Sequence, residues 1–243
     1  MRSNTYTLVF TSLVTIVLGF LVSMAATALS ERQELNVKID QRKNILRSLG
    51  FREAEDTPWT IEKVQELFND YITGIVVDRE GNVIPGKRPE DITPEEEQSL
   101  LPIYVKKTNG KVDGYAFPIS GKGLWSTLYG YLALEPDGKT VKGITFYKHG
   151  ETPGLGGEVE KTWFTSNFIG KHIVDPQGNL VSIQVIKGKV DPTSPEAYHQ
   201  VDGISGASMT GKGLTLFLAE DLRTYDPFFQ KIRHGVAING ITQ

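Results

Sequence analysis

The chain contains no cysteine. Disulfides, zinc–thiolate sites and iron–sulfur clusters held by its own thiolates are therefore excluded, and any redox chemistry needs a cofactor bound by other means. The absence suits an oxidising compartment, where a free thiol is a liability, without establishing one. Excess positive charge is missing too: 26 Lys and Arg against 29 Asp and Glu leave a net charge of −3. Without a basic footprint, nucleic acid is not an expected partner. His149, His172, His199 and His234 lie far apart and form no HxxxH or HExxH pattern, which argues against a metal site. What remains is ordinary globular usage, 39% hydrophobic and 23% charged over 243 residues, enough for one sizeable domain or two small ones.

The first thirty residues carry the clearest organisational signal. Tyr6 to Leu29 (YTLVFTSLVTIVLGFLVSMAATAL) has no charged residue, and at 1.5 Å per residue this run covers roughly 36 Å, enough to span a bilayer once. Ala26-Thr27-Ala28 also offers a small-x-small cleavage pattern, but signal-peptide apolar regions run only about 7–15 residues, so an uncleaved anchor is expected. Arg32, Lys38, Arg42, Lys43 and Arg47 follow the span, whereas only Arg2 precedes it. A literal positive-inside count would place the large domain in the cytoplasm. No acidic residue lies within the span, so the chain shows no intramembrane carboxylate for ion passage.

Beyond the span, Leu35, Ile39, Leu46 and Leu49 keep helical spacing and predict an amphipathic stalk ending at Gly50. After Pro58, Ile61, Val64, Leu67, Phe68, Tyr71 and Ile72 form one helical stripe. Gly74 to Asp78 reads as a strand, and Asp91 to Leu101 (DITPEEEQSLL) carries a helix-start signature. Paired strands are predicted at Ile103–Lys107 and Val112–Ile119 about Asn109-Gly110, and at Leu124–Leu134 and Thr140–Tyr147 about the turn from Glu135 to Gly138, giving an antiparallel meander. A helical segment near Lys161–Ile169, a strand at Leu180–Lys187 and a helix from about Gly211 to Tyr225 complete the set. The expected class is α+β, an antiparallel sheet with packed helices behind one N-terminal transmembrane helix. Its divisions are a tail (1–5), the span (6–29), a stalk with an N-terminal α/β subregion (30–101) and a C-terminal domain (102–243).

Three loops rich in glycine, hydroxyl and aromatic residues look like the walls of one pocket: Gly121–Gly130, Glu151–Gly157 and Asp202–Thr210. In the third, Ser208 or Thr210 is placed to cap the helix that follows. The same helix start, made approachable by Gly206 and Ala207, offers free amides and the positive end of a dipole to a phosphate. Gly206 to Gly213 (GASMTGKG) nearly spells a nucleotide-binding P-loop, but Gly213 stands where a magnesium-holding Ser or Thr belongs, and no apolar strand precedes it.

Asp202 to Thr210 (DGISGASMT) matches the D-x-x-[ST]-G-A-[ST]-x-T pattern and resembles the covalently flavinylated FMN-binding domains, in which the final Thr carries FMN through its phosphate. Glu151 to Gly156 (ETPGLG) resembles the second signature of that domain. The run GLWSTLYGYLAL, the single anchor and the overall length are similar to the NqrC family of the sodium-translocating NADH:quinone reductases rather than its Rnf-type relative. The resemblance implies FMN attached by a phosphoester to Thr210, loaded by a separate flavin transferase that uses FAD, since a threonine hydroxyl is a poor nucleophile unaided. It implies Ser205, Gly206, Ala207 and Ser208 about the flavin, with Lys212 either neutralising phosphate or simply solvated. Asp202 either orients the loop, helps a transferase-bound cation or serves as a turn residue. Trp125 and Leu155 are expected to contact the ring or ribityl chain, Glu151 and Thr152 to offer it polar atoms, and Gly156 to belong to the same cofactor site. The implied role is electron relay among membrane and flavoprotein partners of a sodium pump in the bacterial inner membrane, with the large domain periplasmic against the charge count. A covalent-FMN domain of an Rnf-type complex, a sensor or an extracytoplasmic reductase is the alternative, and a cofactor-free binding module a more distant one.

Overall fold

The computed structural model describes residues 4–54 and 57–236, with the side chain of Glu31 also left out. Helix α1 runs from Asn4 to Ser48. Its stretch Asn4–Ser30 is long and apolar enough to cross a membrane, and none of its most apolar window is buried against protein. The chain divides into two compact units, Met1–Asp40 and Gln41–Gln243.

In the second unit, α1 ends as its sequence predicts. Gly50 adopts the left-handed conformation (φ 89°). Its amide bonds to the Arg47 carbonyl and that of Phe51 to the Leu46 carbonyl, the pair of bonds that closes orphan carbonyls at a helix end. Helix α2 (Ile61–Tyr71) starts at Thr60, whose side chain accepts the Lys63 amide, and buries Val64 and Phe68. Ile72, expected on the same stripe, already belongs to the next strand.

Five strands follow in simple meander order: β1 (Ile72–Asp78), β2 (Leu100–Thr108), β3 (Lys111–Lys122), β4 (Thr127–Leu134) and β5 (Val141–Lys148). All neighbours are antiparallel. The β2–β3 turn has Asn109 and Gly110 both at positive φ (53° and 77°), the two-residue geometry that follows the strand twist. At the β4–β5 turn the Asp137 carboxylate accepts the amides of Lys139 and Thr140. The 101/102 boundary drawn from sequence falls inside β2.

Three expectations are corrected. Asp91–Leu101 is not a helix: Pro89–Asp91 makes one 3-10 turn, and Thr93 closes a second through the amides of Glu96 and Glu97. The capping interaction is present, with Glu96 accepting the Thr93 amide at 3.0 Å. The turn has no apolar face to continue on, and Leu100 and Leu101 are drawn into pairing with Asp78 and Val77. Leu180–Lys187 is not a full strand, because Ser182 is left-handed (φ 66°) and turns the chain. Leu180 makes an isolated antiparallel bridge to Val174, and beyond the turn β6 (Gln184–Val185) pairs parallel to β7 (Gln200–Val201). Leu124–Ser126 lies in the β3–β4 loop, and β4 begins at Thr127.

The segment from Gly156 to Phe168 is helical in short pieces, two 3-10 turns about α3 (Thr162–Thr165). Helix α4 is longer than expected, Ser208–Arg233 rather than about Gly211 to Tyr225. It packs against β3, with the Phe117 ring 4.5 Å from that of Tyr225 and 5.3 Å from that of Phe229. The core is one cluster from the sheet, α3 and α4, including Ile103, Leu132, Phe164 and Phe168. Near the end of α4, buried Asp226 pairs with Arg233 at 2.6 Å, and Arg233 also donates to the Gly138 carbonyl, tying the helix to the β4–β5 turn.

Candidate functional site

The three loops singled out in the sequence do converge, and the residue on which they converge is Glu151. Its Oε1 accepts the amides of Trp125 (2.9 Å) and Ser126 (3.0 Å). Its Oε2 accepts the Leu124 amide (3.2 Å) and the Thr210 hydroxyl (2.7 Å). One carboxylate thus joins the β3–β4 loop, its own loop and the first turn of α4. Burial alone would raise the Glu151 pKa; the hydrogen bonds from Thr210 and the three amides outweigh it and hold the group below the ordinary glutamate value. Glu151 is 5% exposed and Thr210 1%. Gly156 is what allows this closeness: a Cβ there would lie 2.6 Å from both Glu151 Oε2 and Thr210 Oγ1.

Glu151 was expected to present polar atoms to a ligand, whereas its carboxylate is turned inward on protein donors. The cap expectation is corrected as well. Ala207 occupies the N-cap of α4 with no side-chain bond, and Ser208 and Thr210 lie inside the first turn. The first backbone bond of the helix is from the Gly211 amide to the Ala207 carbonyl. The amides of Ser208, Met209 and Thr210 therefore have no intrahelical acceptor.

Ser208 borders a cleft of about 790 Å³ lined by Asp202–Ser208 and by Gln184–Lys189. Of the residues expected at the site, the structure places Asp202, Ser205, Gly206, Ala207, Ser208 and Lys212 on its walls. Trp125, Glu151, Thr152, Leu155, Gly156 and Thr210 do not line it. The two sets touch where Gly206 (φ 74°) approaches Leu155. Asp202 Oδ1 accepts the Val190 amide at 2.8 Å, a bond that ties its loop to the chain at Val190. Thr152 is exposed, and its carbonyl receives the Leu155 and Gly157 amides in a tight turn. Trp125 (71% exposed) and Leu155 (42%) project outward. Lys212 is exposed on the cleft rim.

Sequence reasoning missed Trp163, Lys187 and Lys189, which also line the cleft. Trp163 is half exposed, held by its indole N–H on Glu158. An exposed aromatic in a short helical run has no local pattern distinguishing it from core.

The FMN-binding domain family matches residues 123–221, which include the second and third loops and all but the first two residues of the first. The NqrC subunit of the Na+-translocating NADH-quinone reductase of Pseudomonas aeruginosa is 38% identical over 97% of this chain and 98% of its own length. The chain belongs to the NqrC family of Na+-translocating NADH-quinone reductase subunits. A second member of that family, from Yersinia pestis, is 32% identical over 96% of this chain and 95% of its own length. The crystal structure of the Parabacteroides distasonis member superposes with a TM-score of 0.69 at 31% identity, covering 83% of this chain and 96% of that one. The antiparallel meander with its packed helices is thus the architecture this chain shares with a solved NqrC.

Proposed function

We propose that this chain is the membrane-anchored flavoprotein subunit of a Na+-pumping NADH:quinone oxidoreductase, carrying FMN as a phosphoester of Thr210 and relaying electrons between centres on neighbouring subunits. The observation that carries the reading is Thr210 itself. It ends the DGISGASMT run, sits among unpartnered amides at a helix start and is flanked by the cleft-lining Ser208, Gly211 and Lys212.

The residues fit the group. The cleft volume lies within the roughly 300–1,000 Å³ of small-molecule sites. The α4 amides, Lys212, Lys187 and Lys189 suit a phosphate, and the open faces of Trp125 and Leu155 suit a planar ring better than core packing does. Bound FMN supplies reversible electron transfer, which the protein tunes by packing and hydrogen bonding. Glu151 holds the loops in place, and Gly206 lets the backbone approach closely.

The partners are the other subunits of the reductase and a flavin transferase using FAD. The Asn4–Ser30 helix anchors the chain in the inner membrane with its large domain in the periplasm. A covalent tether keeps the cofactor's local concentration high in a compartment from which free flavin would be lost. Coexpression with a flavin transferase is expected to give a fluorescent band on denaturing gels that Thr210→Ala abolishes; a dark wild-type band overturns the attachment. Protease added to spheroplasts should digest the large domain, and its protection would overturn the periplasmic placement.

A further inference from the structure

Several other helical hydroxyls return to the backbone: Ser48 to the Ile45 carbonyl, Thr165 to that of Lys161, Thr215 to that of Gly211. Thr210 is turned instead to a carboxylate, 2.7 Å away and equally shielded from water. Glu151 does not need that hydroxyl to tie the β3–β4 loop to its own, since three amides of Leu124–Ser126 already do so. Those amides also fix its position from a loop other than the one carrying Thr210. The result is an alcohol with an anchored carboxylate aimed at its proton.

A new phosphoester at an alcohol requires that proton to leave, and a carboxylate at hydrogen-bond distance from the attacking oxygen is the arrangement by which kinases receive it. Resting on the reading of Thr210 as the attachment point, we propose that Glu151 is a catalytic residue contributed by the acceptor chain itself: it aligns Thr210 Oγ1 and takes its proton during flavin transfer. The donor is a flavin adenine dinucleotide. Oγ1 attacks the phosphorus on the flavin side, the Oγ1–P bond forms, the pyrophosphate P–O bond breaks, and adenosine monophosphate leaves with the bridging oxygen. The proton passes to Glu151, and no oxidation state changes.

The arrival of that proton also resolves a difficulty of the product. An ester oxygen has no hydrogen to share, so an ionised Glu151 would face it, and the phosphodiester anion beyond, at close range. Protonated, the same carboxyl donates to the ester oxygen and the contact persists with its polarity reversed. Glutamine can donate in this way but cannot take up the proton. Its amide would place N–H groups where Oε2 now receives Thr210 and Leu124, so Thr210 would accept a hydrogen bond and keep its own proton.

The test uses the full-length chain in detergent with purified flavin transferase, FAD and Mg2+, and follows the added FMN mass by intact mass spectrometry in single-turnover mode over a range of transferase concentrations. Glu151→Gln is expected to lower the saturating rate by about 100-fold or more while leaving the half-saturating concentration within about twofold. Glu151→Asp, which keeps the acid but withdraws it by one methylene, is expected to lose about tenfold. Wild-type loading by Glu151→Gln, or a defect confined to the half-saturating concentration, overturns the proposal and leaves Glu151 a shaper of the loop. Should Glu151→Gln lack the wild-type melting transition, Glu151→Asp decides, a wild-type rate overturning the proposal. A wild-type chain that gains no FMN, or a Thr210→Ala chain that does, overturns the attachment reading beneath it and is distinguishable from either result above.

Discussion

Gly213, in the first turns of α4, lies so close to β3 that a Cβ on it would stand 2.3 Å from the carbonyl oxygen of Lys122. This contact explains why the near-match to a P-loop stops one residue short. A Ser or Thr at this position would have to push the helix off the sheet, and the neighbouring atom is backbone, which cannot swing away. Gly213→Ser is therefore expected to destabilise the domain by about 1–3 kcal/mol, the range for overpacking a close contact. Urea denaturation of the full-length chain in detergent measures it; an unchanged midpoint would contradict the contact.

Glu151 makes stability depend on acidity in a definite direction. Its folded pKa lies below the ordinary glutamate value of 4.5, so its contribution is present above that value and is lost as pH falls through the folded pKa. Glu151→Gln has no such contribution. The wild-type Tm should exceed that of the variant at pH 7, and the gap should close as the buffer is taken below about pH 4.5. Other depressed carboxylates, such as Asp113 and Asp137, are common to both proteins and cancel in the difference. A gap independent of pH would be inconsistent with an ionised clasp.

Asp221 on α4 gives the opposite sign. Burial pushes its carboxyl up to about 7 from 3.8, against the single amide of Ser120 that favours the charged form at 2.8 Å, with Glu220 adding to the rise. A raised folded pKa means stability that is complete below the unfolded value and declines as pH rises through about 7. Asp221→Asn keeps an acceptor for Ser120 and removes the charge. It should raise the Tm at pH 8 and leave it unchanged near pH 3.5. Equal effects at both values would show that the carboxyl is not held neutral.

Asp202 is predicted to act on the loop it ties down. Asp202→Ala removes the acceptor for the Val190 amide, and one such bond contributes about 0.5–1.5 kcal/mol. Hydrogen exchange read by mass spectrometry should quicken in the peptide containing Val190, while exchange in α2 stays as in the wild type. Unaltered exchange at Val190 would remove Asp202 from this role.

Local rules reached far into this fold. The apolar span, the Gly50 helix end, the Thr60 cap, the Asn109-Gly110 turn and the body of α4 are each set by residues within a few positions of one another. The same rules failed where a local preference met a stronger distant partner. The helix start at Thr93 is real, but Leu100 and Leu101 gain more by pairing with β1 than by extending an apolar-poor turn. At Leu180–Lys187 a single left-handed serine outweighs strand composition.

By itself the sequence determined which loops matter, that the chain can enter a membrane, and which threonine ends the flavin-type run. Only the tertiary structure decided how those loops meet. The Thr210 hydroxyl and the Glu151 carboxylate are 59 residues apart in the chain, and no periodicity or turn signal encodes such a bond. It exists because the meander brings the β3–β4 loop, the segment after β5 and the start of α4 to one place, where a buried carboxylate must collect every donor within reach. The outward faces of Trp125 and Leu155, and the cleft wall at Trp163, follow from the same convergence: burial is a property of the packed chain, and residue type alone cannot assign it.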